Sequence, residues 1–262
     1  MFDTSMSESQ FRELSAIVYN VAGIAINESK KNLLKARLAK RLRATKNKTI
    51  TEYMVLIQKD PQEFERFIDG VTTNHTYFYR ENSHCEFLLK TLNKQKYLKF
   101  WSAASSSGEE AYSIAIQFQA SGFNFDIYGS DISDTMIERA MKGVYPRERL
   151  RAVPENVVKK YFQRGRNQSD GMVKIKNEVR SHVSYGKHNL VYDAPPKAAY
   201  DVIFCRNVMI YFDQITKQKI VNDMYGALKA GGYFIFGQSE SVVGLQTDFI
   251  SILPSIYQKP LR

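Results

Sequence analysis

Apolar positions in the first seventy residues recur at helical spacing. Phe11, Leu14, Ile17, Val18 and Val21 form one stripe. Ser7-Glu8-Ser9-Gln10 stands before it with the spacing of a capping box. A second stripe, Leu34, Leu38 and Leu42, follows Asn27, a candidate N-cap. Thr49 with Glu52 repeats the capping-box spacing. Asp60-Pro61-Gln62-Glu63 is a fourth start signal with Pro at the first helical position, and Gly70 can stop that helix. The pattern predicts a small all-α domain of four short helices over residues 1–72.

From about Tyr97 the period changes. Short apolar runs at Leu98–Ala104, Phe125–Ser130, Tyr200–Cys205 and Tyr233–Gly237 read as strands. Glu109–Ala120, Ser133–Lys142 and Ile215–Leu228 read as helices between them, the last ended by Ala230-Gly231-Gly232. This alternation predicts an α/β domain over 97–262, a mostly parallel sheet with helices on both faces. Residues 73–96 join the two parts. The alternation lapses at about 144–186, where Met172–Ile175 and His182–Tyr185 read as short strands with polar outer positions. A small antiparallel β insertion, with Arg164 to Tyr185 at its core, is the expectation there.

Composition adds bounds. The 262 residues are 44% apolar and 24% charged, so the chain is globular rather than disordered. Two cysteines, Cys85 and Cys205, cannot build a disulfide framework, which points to a reducing compartment. The N-terminus is polar, unlike a secretory signal, and no apolar run approaches the roughly 20 residues that span a bilayer. A cytoplasmic protein with no membrane insertion is expected. The 37 Lys and Arg against 27 Asp and Glu give a net charge of +10. Lys30 to Lys48 holds nine bases and no acid, so nearly all of the excess is one cationic helix. Such a helix suits an anionic partner, or is simply a solvated face. His75, His84, His182 and His188 have no zinc-ligand spacing, and no metal is expected.

Candidate chemistry lies at the strand ends. Trp101-Ser102-Ala103-Ala104-Ser105-Ser106-Ser107-Gly108-Glu109-Glu110 leaves a strand through small residues and opens a helix. That is where a doubly wound sheet meets a cofactor. G-x-G-x-x-G is absent, and two carboxylates would repel a pyrophosphate. They suit a cationic or hydroxyl-rich ligand, such as a sulfonium with an amino-acid tail and a ribose; they equally suit the helix macrodipole. Asp131, in Gly129-Ser130-Asp131-Ile132-Ser133, is placed to accept ribose hydroxyls or to cap the next helix. Phe204-Cys205-Arg206-Asn207-Val208-Met209-Ile210-Tyr211-Phe212 ends a later strand in polar groups. The joining stretch Val71 to Glu81 is dense in polar and aromatic side chains, either a cover for a cofactor or an anchored linker.

In this order the stretches VTTNHTYFYRE, WSAASSSGEEAYSIAI, GSDIS, IFCRNVMIYFD and LKAGGYFIFGQSES, with GVYPRERLR and YFQRG between them, resemble the chemotaxis receptor glutamate methyltransferases, the CheR family. The resemblance covers nearly the whole chain. It implies a Rossmann-like class I methyltransferase sheet with a small antiparallel β insertion, preceded by the all-α domain. It also implies S-adenosyl-L-methionine as cofactor, with S-adenosyl-L-homocysteine as product. Carried over motif by motif, Asn74, Thr76 and Arg80 contact the cofactor, and one of Glu109 and Glu110, preferably Glu110, holds its charged portion. Asp131 binds the ribose, Asn189 and Leu190 in KHNLV flank the adenine, and Arg206 and Asn207 close the site. Arg80 and Tyr211 are the catalytic candidates, orienting the reacting groups. Ser107 stands where the family turn often has Thr, which keeps the hydroxyl.

The implied acceptors are glutamates on the cytoplasmic methylation helices of chemotaxis receptors, which are acidic coiled coils. Lys30, Arg37 and Arg41 are the expected docking charges, and a monomer is expected. The main rival is a nucleic-acid methyltransferase, which the basic helix favours. Amino-group enzymes of that kind carry an Asn/Asp-Pro-Pro-aromatic motif after the fourth strand. Here Asp193-Ala194-Pro195-Pro196-Lys197 precedes that strand and lacks the aromatic. A degenerate, non-catalytic adaptor is the second rival, and the intact acidic and polar motif residues speak against it.

Overall fold

The computed structural model describes residues 5–72 and 74–261. Met1 to Thr4, part of the polar N-terminus, and Thr73 of the joining stretch lie outside the described residues. The chain forms two compact units, Met1–Asn74 with Tyr211–Thr216, and His75–Ile210 with Lys217–Arg262.

The first unit is helical. Helix α1 (Glu8–Ala22) starts on the capping box: Ser7 Oγ accepts from the Gln10 N–H, and the Ser7 N–H donates to Gln10 Oε1. Helix α2 spans Lys31–Thr45. Asn27 does not cap it. Asn27 stands before a 3₁₀ turn, Glu28–Lys30, and its Oδ1 is taken by the Ser29 hydroxyl at 2.6 Å. Helix α3 (Ile50–Lys59) is capped by Thr49, but Glu52 reaches back to the Lys48 N–H rather than to Thr49. Helix α4 (Pro61–Val71) is capped by Asp60 and runs through Gly70 to Thr72, so Gly70 is not its stop. Leu14 and Val18, Leu34, Leu38 and Leu42, Tyr53, and Phe67 fill the core these helices share. Within that core Glu63 is 2% exposed. It accepts from Arg41 at 2.9 and 2.6 Å and from the Tyr53 hydroxyl at 2.7 Å, which ties α2, α3 and α4 together.

The second unit opens with α5 (Ser83–Thr91), a helix inside the joining segment 73–96. Then come β1 (Tyr97–Ala103), α6 (Glu109–Ala120), β2 (Asn124–Asp131) and α7 (Asp134–Lys142). They are followed by β3 (Val144–Pro146), α8 (Glu155–Tyr161), β4 (Phe162–Arg164), β5 (Met172–Ile175) and α9 (Asn177–Arg180). The unit closes with β6 (Val183–Lys187), β7 (Tyr200–Cys205), α10 (Gln214–Ala227), β8 (Leu228–Phe236), β9 (Ile250–Leu253) and β10 (Ile256–Gln258).

Seven strands form one sheet in the order β6-β2-β1-β7-β8-β10-β9, and β3-β5-β4 form a separate antiparallel sheet. The first five strands of the large sheet are parallel, and β10 and β9 are antiparallel. Phe100, Phe118 and Phe125 are among its fully buried rings.

The strand read at His182–Tyr185 belongs to the large sheet and not to the insertion: Val183–Lys187 pairs parallel with β2. It looked like an appendage because it is an edge strand, half exposed along its length. Ala230-Gly231-Gly232 does not end a helix. The helix stops at Ala227, and the glycines lie inside β8, where Gly231 at φ 75° accompanies a register shift against β7.

Candidate active site

Strands β2, β1 and β7 lie side by side, and chain order reverses between β1 and β7, the switch point where open α/β sheets receive ligands. The turn after β1 is held in an unusual conformation. Ala104, Ser106 and Gly108 have φ of 58°, 51° and 93°. Gly108 must be glycine: a Cβ there would stand 2.7 Å from the Tyr185 hydroxyl and 2.8 Å from Ala140 Cβ. The Ser106 N–H donates to Asp131 Oδ2 at 2.8 Å, and Oδ1 accepts from the Ser133 N–H at 3.0 Å. The Tyr145 hydroxyl, from β3 of the insertion, donates to the Ser107 carbonyl at 2.7 Å. The side-chain oxygens of Ser105 and Ser106 are buried and have no hydrogen-bond partner among the described residues.

Glu110, on the first turn of α6, meets Arg206, just beyond β7. Arg206 Nε donates to Glu110 Oε2 at 2.7 Å, and the Ser102 hydroxyl donates to Oε1 at 2.7 Å. The Arg206 side chain is only 5% exposed. Its other nitrogens reach the Arg80 carbonyl at 2.9 Å, the Glu81 carbonyl at 3.2 Å and His84 Nδ1 at 3.0 Å. Arg206 therefore acts as a buried bracket rather than as a surface cation.

Asn207 follows in the left-handed region, at φ 59°. Glu240 holds it there, accepting from the N–H groups of Asn207, Gly237 and Ile210 at 2.6, 2.9 and 3.2 Å. Glu81 accepts from Asn207 Nδ2 at 3.1 Å and from the Gln238 N–H at 3.0 Å. Burial raises the Glu240 pKa against the pull of these N–H donors.

Glu109 and Glu110 have different surroundings. Glu109 is 1% exposed, bonded to the Ser107 hydroxyl at 2.7 Å and 3.5 Å from Arg149. Burial pushes its carboxyl pKa up, and the Ser107 hydroxyl and Arg149 only partly offset this. Arg149 also donates to the Thr76 carbonyl. Glu110 retains 13% side-chain exposure. Of the two carboxylates it is the more exposed.

The remaining expected residues lie as follows. Arg80 Nη1 donates to the His75 carbonyl at 2.7 Å, and its guanidinium sits 5.8 Å from the Tyr77 ring centre. Asn189 Oδ1 accepts from the Val191 N–H at 3.0 Å, the Asn189 N–H donates to Asp193, and Leu190 is buried. Beside them the His188 N–H donates to the Asp131 carbonyl at 3.0 Å. Asn74 and Tyr211 belong to the helical unit. There Asn74 Nδ2 donates to Thr72 Oγ1 at 3.3 Å. The Tyr211 carbonyl accepts from the Ala25 N–H at 3.0 Å, and Lys30 Nζ lies 5.4 Å from the Tyr211 ring centre. Arg37 Nη1 donates to the Gly70 carbonyl at 3.2 Å. Arg41, expected as a docking charge, is taken up by Glu63. Cys85 and Cys205 are buried free thiols whose pKa values burial raises, Cys85 to about 12, so both stay protonated at neutral pH. Among the described residues no group of three or more His, Cys, Asp or Glu could hold a metal ion.

A family model described as CheR methyltransferase, SAM binding domain, matches residues 74–257, and CheR methyltransferase, all-alpha domain, matches residues 9–72. The chain belongs to the CheR methyltransferase family. A chemotaxis protein methyltransferase 2 of Pseudomonas aeruginosa is 36% identical over 246 residues, 90% of this chain and 88% of the relative. The chemotaxis protein methyltransferase of Escherichia coli is 34% identical over 94% of this chain and 88% of its own. That of Borreliella burgdorferi is 34% identical over 97% and 95%. A solved S-adenosylmethionine-dependent methyltransferase from Mesorhizobium loti aligns over 58% of this chain and 51% of its own, at 16% identity and a TM-score of 0.34.

This CheR-family chain is a methyltransferase that uses S-adenosylmethionine. Its residues fit that cofactor: carboxylates at Glu110 and Asp131, and two serine hydroxyls on the turn after β1 with no partner among the described residues. Glu81, His84, Arg149, Glu240 and Ser255 carry no site role by sequence alone, although Glu81, Arg149 and Glu240 stand in the motif stretches YFYRE, GVYPRERLR and GQSES and His84 enters only as a histidine without zinc-ligand spacing. The task of Glu81 and Glu240 is to bind backbone N–H groups and the neighbouring Asn207, which no residue spacing announces.

Proposed function

We propose that the chain esterifies glutamate side chains on the cytoplasmic methylation helices of chemotaxis receptors, acting as a monomer in the cytoplasm. The observation that carries this reading is the tandem match of both family models, together with relatives named as chemotaxis protein methyltransferases across nearly their whole length.

The chemistry asks little of the protein in proton transfer. A glutamate with a pKa of about 4.3 is already ionised at neutral pH, so no general base is required. The cofactor, when bound, supplies a methyl group activated by its sulfonium. The chain must hold that group and aim the carboxylate. Glu110 binds the charged amino-acid portion, Asp131 the ribose hydroxyls, and Asn189 and Leu190 the adenine. Asn74 and Thr76 add contacts, and Arg206 with Asn207 fixes the border of the site. Arg80 and Tyr211 orient the substrate carboxylate and keep water from it. Alignment of this kind supplies roughly 7–11 kcal/mol in well-oriented systems. The exposed bases of α2 steer the acidic receptor helices through screened, long-range attraction.

The test uses methyl-labelled S-adenosylmethionine, the purified protein and chemoreceptor-containing membranes. Alkali should release the label from the receptor as volatile methanol, the signature of a carboxyl ester. Tight cofactor binding without that transfer would overturn the reading and make RNA the next acceptor to try.

A further inference from the structure

We propose that His84 and Ser255 are positioning residues for cofactor binding, acting through Arg206 to fix the carboxylate of Glu110. This rests on the assignment of Glu110 to the charged end of the cofactor. It adds two residues that touch neither cofactor nor substrate.

The relay begins at the turn between β9 and β10. The Ser255 hydroxyl donates to the Pro254 carbonyl at 2.6 Å, which leaves its oxygen as an acceptor. His84 Nε2 lies 2.8 Å from that oxygen and must carry the proton of the pair. His84 Nδ1 then holds a lone pair, 3.0 Å from Arg206 Nη1, a group that can only donate. The partners at both ends thus dictate one state, a neutral imidazole with hydrogen on Nε2. His84 is 2% exposed, so water does not substitute for either partner.

Arg206 passes the constraint on. A guanidinium is a rigid planar fork, so fixing its two terminal nitrogens fixes the direction of the third. His84 Nδ1 and the carbonyls of Glu81 and Arg80 take the terminal nitrogens. Nε is thereby aimed at Glu110 Oε2, 2.7 Å away. Ser102 holds the other oxygen. The chain of contacts runs from the C-terminal hairpin through α5 to the first turn of α6. Ser255 keeps its place at φ 61°, a conformation that a serine does not adopt without support.

Titration calorimetry with S-adenosylhomocysteine tests this on the full chain, with thermal unfolding as the control for folding. His84→Leu removes the acceptor and should weaken binding about tenfold, the scale of losing one bond to a charged donor. His84→Asn retains an acceptor near the Nδ1 position and should restore most of that loss. Ser255→Ala, which disturbs the relay without removing the imidazole, should shift affinity in the same direction by less. In a Glu110→Gln background the effect of His84→Leu should shrink, because the relay no longer ends on a carboxylate. Wild-type affinity in His84→Leu, no recovery in His84→Asn, or an undiminished effect in the Glu110→Gln background would each overturn the proposal. If Glu110→Gln itself binds normally, the assignment of Glu110 fails and the proposal fails with it. If Glu110→Gln weakens binding and His84→Leu does not, only the proposal fails.

Discussion

Asp131 holds its turn by two backbone bonds, and on the proposed assignment the same side chain also serves the ligand. Its two oxygens accept from the Ser106 and Ser133 N–H groups, one stabilising the turn at a positive φ, the other the approach to α7. On the proposed assignment, ribose hydroxyls add to these bonds on the same carboxylate. Asp131→Ala should therefore fail twice. It leaves the buried Ser106 N–H without its acceptor, at a cost of about 1–3 kcal/mol, and on the proposed assignment it also removes the ribose contact. Asp131→Asn keeps the shape and one acceptor. The expected order of calorimetric affinity for S-adenosylhomocysteine is wild type, then Asn, then Ala. Equal affinity in all three would remove Asp131 from the cofactor site.

At the scale of elements, α2 carries two kinds of base that the sequence does not distinguish. Lys30, Arg37 and Arg41 look alike as charges beside an apolar stripe, yet Arg41 closes on buried Glu63 and Arg37 on the Gly70 carbonyl. Lys40 and Arg43 stay exposed on the same helix. Arg41→Ala should lower stability by about 3 kcal/mol, because it leaves buried Glu63 with only the Tyr53 hydroxyl and Arg66 at 3.7 Å, and unfolding in urea would show it. Lys40→Glu with Arg43→Glu should instead raise the receptor KM several-fold, with cofactor affinity unchanged and the effect weaker in high salt. If that pair lowers cofactor affinity, docking is the wrong role for the helix. Helix periods, the starts at Ser7 and Asp60 and the alternation of strands with helices were legible because each is written locally, in spacing of 3.6 or in a capping residue. The cap read at Asn27 and the stops read at Gly70 and Ala230-Gly231-Gly232 were not, because the same residue types also sit inside turns, helices and strands. The placement of β6 was not, because parallel pairing is a long-range choice and an edge strand exposes one face wherever it pairs. The same limit hid Glu81, His84 and Glu240, whose partners lie far away in sequence.

For the molecule as a whole, these buried polar groups make stability depend on pH in a way that can be dissected. Burial, reinforced by the Arg206 charge and opposed by Glu81, lowers the His84 pKa from 6.5 to about 4. The unfolded chain then binds a proton on this residue below about pH 6.5 while the folded chain does not. Folded stability on this account is fully present above that value and is lost as pH falls toward 4. From pH 7 to pH 5 the loss from this one group is about 2 kcal/mol, taking 1.36 kcal/mol per pH unit. Glu109 and Glu240 act with the opposite sign, since burial raises both carboxyl pKa values. In the folded protein they keep protons that the unfolded chain has already released, so stability from them falls as pH rises through the carboxylate range. The observed slope is the sum, and comparison of variants isolates the histidine. Urea unfolding at pH 7, 6 and 5 should show a steeper decline for the wild type than for His84→Asn, which has nothing to protonate there. Glu240→Gln should make the decline steeper still near pH 5, by deleting a group that offsets it. Parallel slopes for the wild type and His84→Asn would mean that His84 already shares its proton with the folded protein, and that the neutral imidazole its partners require is not the state in solution.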